Sequence, residues 1–201
     1  MPKVLSDQEI AEFRERLCDA AERLFAKYGP EVVTMRQMTL ELGVSQMTPY
    51  RYFKDKDAIL AAVRARGFRR LGDAMEIAYA ESSGDLAVRA NAAGRGYVQF
   101  AFDNPQTYKL MFDFSQPNEN DYPELVAAAE RARAHMTQHL RELIAQGRVR
   151  GEPEFLGHLY WSAMHGPIML HLSQKLVPGC DAGKLIDTLV EVLNSHFIPL
   201  S

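Results

Sequence analysis

The chain has 201 residues, of which 47% are hydrophobic, enough to bury a sizeable core and too many for wholesale disorder. Its only two cysteines, Cys18 and Cys180, exclude a disulfide framework or a metal knuckle and fit a reducing cytosol, and no apolar run approaches the roughly 18 residues of a membrane span. The net charge of −3 speaks against a nucleic-acid partner for the chain as a whole, but residues 34–70 carry eight basic side chains against three acidic ones, a local excess of the kind that phosphate binding needs.

In chain order the signals are helical. The first residues carry Asp7, Glu9, Glu12, Arg14 and Glu15 among their apolar neighbours, which predicts no secretory leader. Ser6 and Glu9 have the spacing of a capping box, and Ile10, Phe13, Leu17, Ala20, Leu24 and Phe25 then form an apolar stripe, closed by Gly29 and Pro30. Thr34 and Gln37 repeat the capping-box spacing and open a short helix with Met35, Met38 and Leu42 on one face, stopped by Gly43. Ser45 is placed to cap a third short helix reaching about Phe53. Asp55 caps a long fourth helix that turns Ile59, Val63 and Leu71 inward and its arginines outward.

Gly84 and Asp85 open a fifth helix, interrupted by Asp103, Asn104 and Pro105 before a short sixth. Residues 115–121 read as a loop. Pro123 suits the first position of a seventh helix ending at Gly147, an eighth runs from about Pro153 to Lys175, and Pro178 and Gly179 separate it from a ninth. The fold class is therefore all-α with about nine helices, without strands, repeats or low-complexity tracts.

Residues 34–53 form a helix, a glycine-containing turn and a second helix, the arrangement that sets a short helix in a major groove. At the residue level, 16–60 resembles the N-terminal domain of the TetR family of bacterial repressors. The resemblance rests on Ala20, Ala21, Leu24, Phe25, Gly29, Thr34, Met38, Gly43, Val44, Ser45, Thr48, Tyr50, Tyr52, Phe53, Lys54 and Lys56. Thr39, Met38, Met47 and Pro49 depart from the usual residues, the last two within the recognition segment.

The resemblance implies a DNA-binding domain over residues 1–54 and a helical ligand-binding and dimerisation domain over 55–201, without a cofactor. It implies DNA contacts from Thr34, Arg36, Ser45, Gln46, Met47, Thr48, Tyr50 and Lys56. Gln46 is suited to adenine, Met47 or Thr48 to a thymine methyl, and Tyr50 and Lys56 to phosphates. Arg64, Arg66, Arg69 and Arg70 suit a solvated helix face better than a DNA contact.

The C-terminal two-thirds is rich in aromatics and methionines, a composition that suits an apolar pocket as well as plain core packing. Met75, Tyr97, Phe100, Met111, Phe112, Trp161, Met164 and His165 are the expected ligand-binding residues, with Gln99 a further polar group. The stretch from Trp161 through His165 and Gly166 resembles one C-terminal subgroup of the family. The eighth helix is apolar nearly all round, and the ninth shows Leu185, Leu189, Leu193 and Phe197; a helix buried on two sides needs two partners, so these four residues are expected at a dimer interface. The expected protein is thus a cytoplasmic homodimeric repressor. It would bind a near-palindromic double-stranded DNA operator, be released by a small apolar or aromatic effector, and have no membrane partner.

Two other readings remain at this level. His135 and His139 lie one helical turn apart, a spacing that can hold zinc and that would suit a helical enzyme or metal-binding bundle, although no third ligand or nucleophile motif accompanies them. A helical interaction module without DNA binding is the other, and the basic stretch with the Gly43–Val44–Ser45 turn weighs against it.

Overall fold

The computed structural model describes residues 6–112 and 118–198. Eight α-helices form: α1 (Asp7–Tyr28), α2 (Met35–Leu42), α3 (Lys56–Glu81), α4 (Leu86–Asp103), α5 (Pro105–Phe112), α6 (Pro123–Ala145), α7 (Pro153–Leu172) and α8 (Ala182–Phe197). Two 3-10 turns, Pro49–Arg51 and Glu119–Asp121, join them, and no strand occurs among the described residues. Residues 115–117 of the expected loop lie outside the described residues.

The helix starts follow from local side-chain chemistry. Both capping boxes close: the Ser6 hydroxyl accepts from Glu9 N at 3.2 Å while the Glu9 carboxylate accepts from Ser6 N at 2.8 Å, and Thr34 and Gln37 do the same at 3.3 and 2.7 Å. Each pair satisfies two backbone donors that the first turn leaves without helical partners. Asp55 accepts from Ala58 N and Asp85 from Val88 N, as expected for caps of α3 and α4. Gly43 ends α2 in the left-handed region at φ 65°, a conformation that a side chain would strain.

The segment after Gly43 departs from expectation. Instead of a helix from Ser45 to Phe53 there is a turn followed by the single 3-10 turn at Pro49. Pro49 has no N–H to give to the carbonyl of Ser45, so the first i→i−4 bond of the expected helix is missing; Thr48 N bonds the Ser45 carbonyl at 3.0 Å and Tyr52 N the Pro49 carbonyl at 2.9 Å with the tighter i→i−3 spacing, and Phe53 N reaches the same Pro49 carbonyl at 2.9 Å.

The chain divides into two compact units, residues 1–68 with 106–128 and residues 69–105 with 129–201. The first has its own core of Leu17, Cys18, Ala21, Phe25, Val33, Met38, Phe53, Ile59, Leu60, Val63 and Leu110. Burial pushes the Cys18 thiol up to about 11. Within this unit α5 seats tightly on α3: a Cβ added at Gly67 would lie 2.7 Å from the Met111 sulfur.

Arg64 overturns the expectation of an all-outward arginine face. It is 4% exposed, and its Nη2 and Nε donate to the Met111 carbonyl at 3.1 and 3.4 Å, with Glu119 as ion-pair partner. Arg66 is also turned inward, onto Glu15, Asp19 and Glu22 of α1 at 3.1, 2.7 and 2.6 Å. Burial works against its charge, but the hydrogen bonds to Glu22 and Asp19 outweigh burial and hold the guanidinium firmly protonated.

The second unit is built from the end of α3 with α4, α6, α7 and α8. One core cluster joins Leu140, Leu143, Val149 and Leu156, with Phe197 packed against it. Small residues set the helix spacing: a Cβ at Gly96 would meet the Ala74 carbonyl oxygen at 2.8 Å, and one at Gly157 would meet Thr137 Cγ2 at 2.7 Å. Leu189 is 41% exposed and Leu185 and Leu193 are half-buried, whereas Phe197 contributes to its own unit's core. Phe155, Leu170 and Val192 add further exposed apolar surface on α7 and α8.

Candidate nucleic-acid interface and ligand cavity

In the first unit the residues expected to touch DNA cluster around the α2 turn. Thr34 is the exposed N-cap of α2, with its hydroxyl engaged by Gln37, and Arg36 is exposed on the first turn. The left-handed Gly43 directs the chain into Ser45, Gln46 and Met47, all exposed, Met47 at 70%. Ser45 Oγ and Thr48 Oγ1 are 2.8 Å apart, so these hydroxyls hold the turn as well as facing solvent. Pro49 is buried under the turn and Tyr50 is 49% exposed beside it. An exposed methionine and tyrosine next to an exposed glutamine form a mixed apolar and hydrogen-bonding tip, the surface that base edges and thymine methyls require.

The segment is fixed from below. Arg14 donates to the Tyr52 carbonyl at 2.9 Å and lies 4.3 Å over the Phe53 ring, and Phe13 packs on Tyr52 at 4.5 Å. Tyr52 and Phe53 are therefore structural. Lys56 is half-buried, and its Nζ donates to the carbonyls of Pro30 and Glu31 at 2.6 and 3.2 Å, which ties the connection before α2 to the start of α3. An ammonium has three donors, so one remains for an anion.

The positive charge of residues 34–70 is thus not all available. Arg64 and Arg66 are neutralised within the unit. Arg36, Arg51 and Lys54 are exposed. Among the described residues they have no charged partner. Arg51 and Lys54 were not among the expected contacts; the run Arg51, Lys54, Lys56 was the signal, diluted in the sequence by the arginines of α3.

The second unit holds a cavity of about 500 Å³, within the usual range for small-molecule sites. Its wall is formed by Met75 of α3, residues of α4 from Ala87 to Gln99, His135, Met136, His139, Leu140 and Leu143 of α6, Tyr160 and Met164 of α7, and the Ile186, Asp187, Val190, Glu191, Asn194 face of α8. Leu185, Leu189 and Leu193 are not in that wall, although Leu193 lies only about 20° around α8 from Ile186, and Leu189 and Leu185 are turned progressively further from it.

Of the expected ligand residues, Met75 and Met164 line the cavity, as does Gln99. Tyr97, Phe100, Trp161 and His165 are not in its wall. Trp161 Nε1 donates to the Tyr97 hydroxyl at 2.9 Å and its ring lies 5.4 Å from His165, so these three form a cluster of their own. Met111 and Phe112 belong to the first unit, where Phe112 packs edge-on to Phe68 at 5.4 Å.

By its spacing in sequence His139 is only half of a possible metal pair with His135. In the structure it is 9% exposed and stacked on Tyr79 at 4.2 Å with ring planes 7° apart, and its Nδ1 has no hydrogen-bond partner. Burial, reinforced by nearby His135 and Arg89 and opposed by Glu142, lowers its pKa from the usual value. Among the described residues no group of three or more His, Cys, Asp or Glu is placed to hold a metal ion, and no helix is long and apolar enough to cross a membrane.

Comparison with known proteins matches residues 90–193 to the family described as "Tetracyclin repressor-like, C-terminal domain" and residues 17–63 to "Bacterial regulatory proteins, tetR family". The chain is 35% identical over 71 residues to the HTH-type transcriptional repressor Rv1474c of Mycobacterium tuberculosis, a match covering 35% of this chain and 37% of that protein. That alignment therefore spans little more than a third of the curated relative. A solved structure of a protein with unknown function from Rhodococcus sp. RHA1 has the same fold at a TM-score of 0.80 and 23% identity, covering 99% of this chain and 100% of that one. The TetR family transcriptional regulator PfmR from Thermus thermophilus superposes at a TM-score of 0.67 and 19% identity, over 89% and 97% of the two chains.

Proposed function

The chain belongs to the TetR family of bacterial DNA-binding transcriptional regulators, and from that premise we propose that it is a homodimeric repressor released from its operator by a small molecule held in the cavity of the second unit. Residues 1–54 bind DNA, and residues 55–201 bind the effector and dimerise. The repressor assignment draws on the name of the relative Rv1474c, and the motif Trp161, His165, Gly166 marks a subgroup of the family.

The observation that carries the DNA-binding mode is the exposed tip Ser45, Gln46, Met47 behind the left-handed Gly43, flanked by Arg36, Arg51 and Lys54 with their charges unspent. Gln46, Met47 and Thr48 read base edges, while Thr34, Arg36, Tyr50, Arg51, Lys54 and the spare donor of Lys56 bind phosphates. The short turn in place of a longer recognition helix brings few side chains into the groove, so a single half-site binds weakly. A twofold dimer through Leu185, Leu189 and Leu193, with Phe155, Leu170 and Val192 alongside, supplies the second half-site and makes the operator near-palindromic. The effector is mainly apolar, since Met75, Leu140, Leu143, Met164 and Ile186 form the inner wall.

The test is footprinting and gel-shift on the DNA upstream of the protein's own gene, in competition with random duplex. Two protected half-sites on successive major grooves are expected, and Gln46→Ala should alter preference at one base position in each half-site by about 1–3 kcal/mol. Binding no tighter than to random duplex would remove the regulator assignment for that DNA and the base-reading role of Gln46 with it.

A further inference from the structure

We propose that the effector is an uncharged amphiphile whose hydroxyl group hydrogen-bonds His139 while its apolar body fills the cavity between α4, α6 and α8. This rests on the reading of that cavity as the effector site.

The distribution of polar groups in the wall carries the inference. The buried lining side chains are Met75, Ala93, Leu140, Leu143, Val149, Met164 and Ile186, all apolar, together with His139. The charged lining residues Arg95, Asp187 and Glu191 are exposed and belong to the mouth. Of the other polar lining groups, Gln99 donates to Asp103 at 2.8 Å, the Tyr160 hydroxyl donates to Asn194 at 2.7 Å, Asn91 is exposed, and the half-buried His135 lies 3.9 Å from Glu76. His139 is therefore the buried polar side chain of this wall; its Nδ1 is unmet and closed off, so a ligand hydroxyl reaches it when the imidazole turns toward the cavity. Buried polar atoms are seldom left without a partner, and those that are call for a ligand or an ordered water.

Chemistry selects the head group. A buried imidazole held below its usual pKa is neutral near pH 7, with one N–H and one lone pair, and a hydroxyl can both donate and accept, so it completes either tautomer. An anion would find no positive charge on His139, and the mouth, with Arg95 beside Asp187 and Glu191, carries both signs and favours neither ion. Either ion would also lose its hydration inside an apolar wall. The Tyr79 ring, itself under the Arg89 guanidinium at 4.0 Å, holds one face of the imidazole.

Three probes with the same chain and different heads test this: 1-decanol, decanoate and decylammonium, titrated calorimetrically into the full-length dimer without DNA. Decanol should bind at least roughly tenfold more tightly than either ion, the scale on which one completed buried hydrogen bond acts. His139→Phe, which keeps a ring stacked on Tyr79, should weaken decanol binding by a similar factor and leave the two ions unchanged. The ranking of heads by the unaltered protein needs no variant and stands if His139→Phe misfolds. A charged probe binding as tightly as decanol, or His139→Phe binding decanol as tightly as the original, overturns the proposal. Val190→Trp separates this from failure of the cavity itself: if all three probes bind it unchanged, the cavity is not the site, and if no probe binds the original protein, both readings fall.

Discussion

Arg64 and Met111 are joined across 47 residues of sequence: the guanidinium of one donates twice to the backbone carbonyl of the other, in a setting closed to solvent. With Glu119 as ion-pair partner, and with the Thr107 hydroxyl donating to Glu22, this makes the segment after α4 an integral part of the first unit. Arg64 thus spends its charge on holding that segment.

Arg64→Ala should accordingly lower stability by about 3 kcal/mol, because it leaves a buried carbonyl unmet and Glu119 without its cation. Chemical denaturation measures the loss. At temperatures where the variant is folded, the salt dependence of DNA binding should keep its slope; a flatter slope would mean that Arg64 neutralises a phosphate.

Lys56→Ala and Tyr50→Phe should weaken binding to every DNA sequence in equal proportion, since phosphates carry no base information. Lys56→Ala should also flatten the salt dependence and, by releasing the carbonyls of Pro30 and Glu31, cost about 1 kcal/mol of stability. Lys54→Ala should flatten the salt dependence without the stability loss, as Lys54 has no charged partner to release among the described residues. Competition binding on operator and random duplex, with thermal melts alongside, distinguishes these outcomes.

Replacing Leu189 and Leu193 together with Arg should give monomers and abolish tight operator binding. Sedimentation velocity reports the first result. A double variant that sediments as a dimer would move the interface elsewhere.

Stability should fall as pH drops below about 6.5. Burial lowers the pKa of both His139 and His165, so below the unfolded value of 6.5 the unfolded chain takes up protons that the folded chain refuses. The contribution is intact above pH 6.5 and is lost on the way down to the depressed folded values, where the curve levels off. For His139 the charged neighbours that set this window are Arg89, His135 and Glu142, with Asp187 and Glu191 lining the same cavity. Denaturation between pH 8 and pH 5 should show a shallower decline for His139→Phe and for His165→Phe; an unchanged decline in the double variant would contradict the assignment.

What could be read without coordinates was whatever depends on neighbours in sequence. Ser6 with Glu9, Thr34 with Gln37, Asp55 and Asp85 act over three residues, and all four appear where the spacing put them. Pro49 was visible too; its missing N–H removes the first i→i−4 bond of the expected helix. Arg64 was misjudged because its partners lie 47 and 55 residues away, where no periodicity points. In the cavity, Met75 and Met164 were legible as adaptable apolar groups. His139 was noticed only for its spacing from His135, since an unmet hydrogen bond exists only once the surrounding wall has been built.

The burial of Cys18 has a practical consequence for watching this regulator at work. Alkylating reagents attack thiolates, and a thiol sealed in a core with its pKa pushed up to about 11 offers almost none at neutral pH. Cys180, half-exposed between α7 and α8, is the other cysteine of the chain. The unaltered sequence therefore carries one chemically addressable attachment point per subunit. A maleimide fluorophore or nitroxide would settle there without mutagenesis, and a symmetric pair of such labels would turn any ligand-driven rearrangement into a measurable change in a single distance.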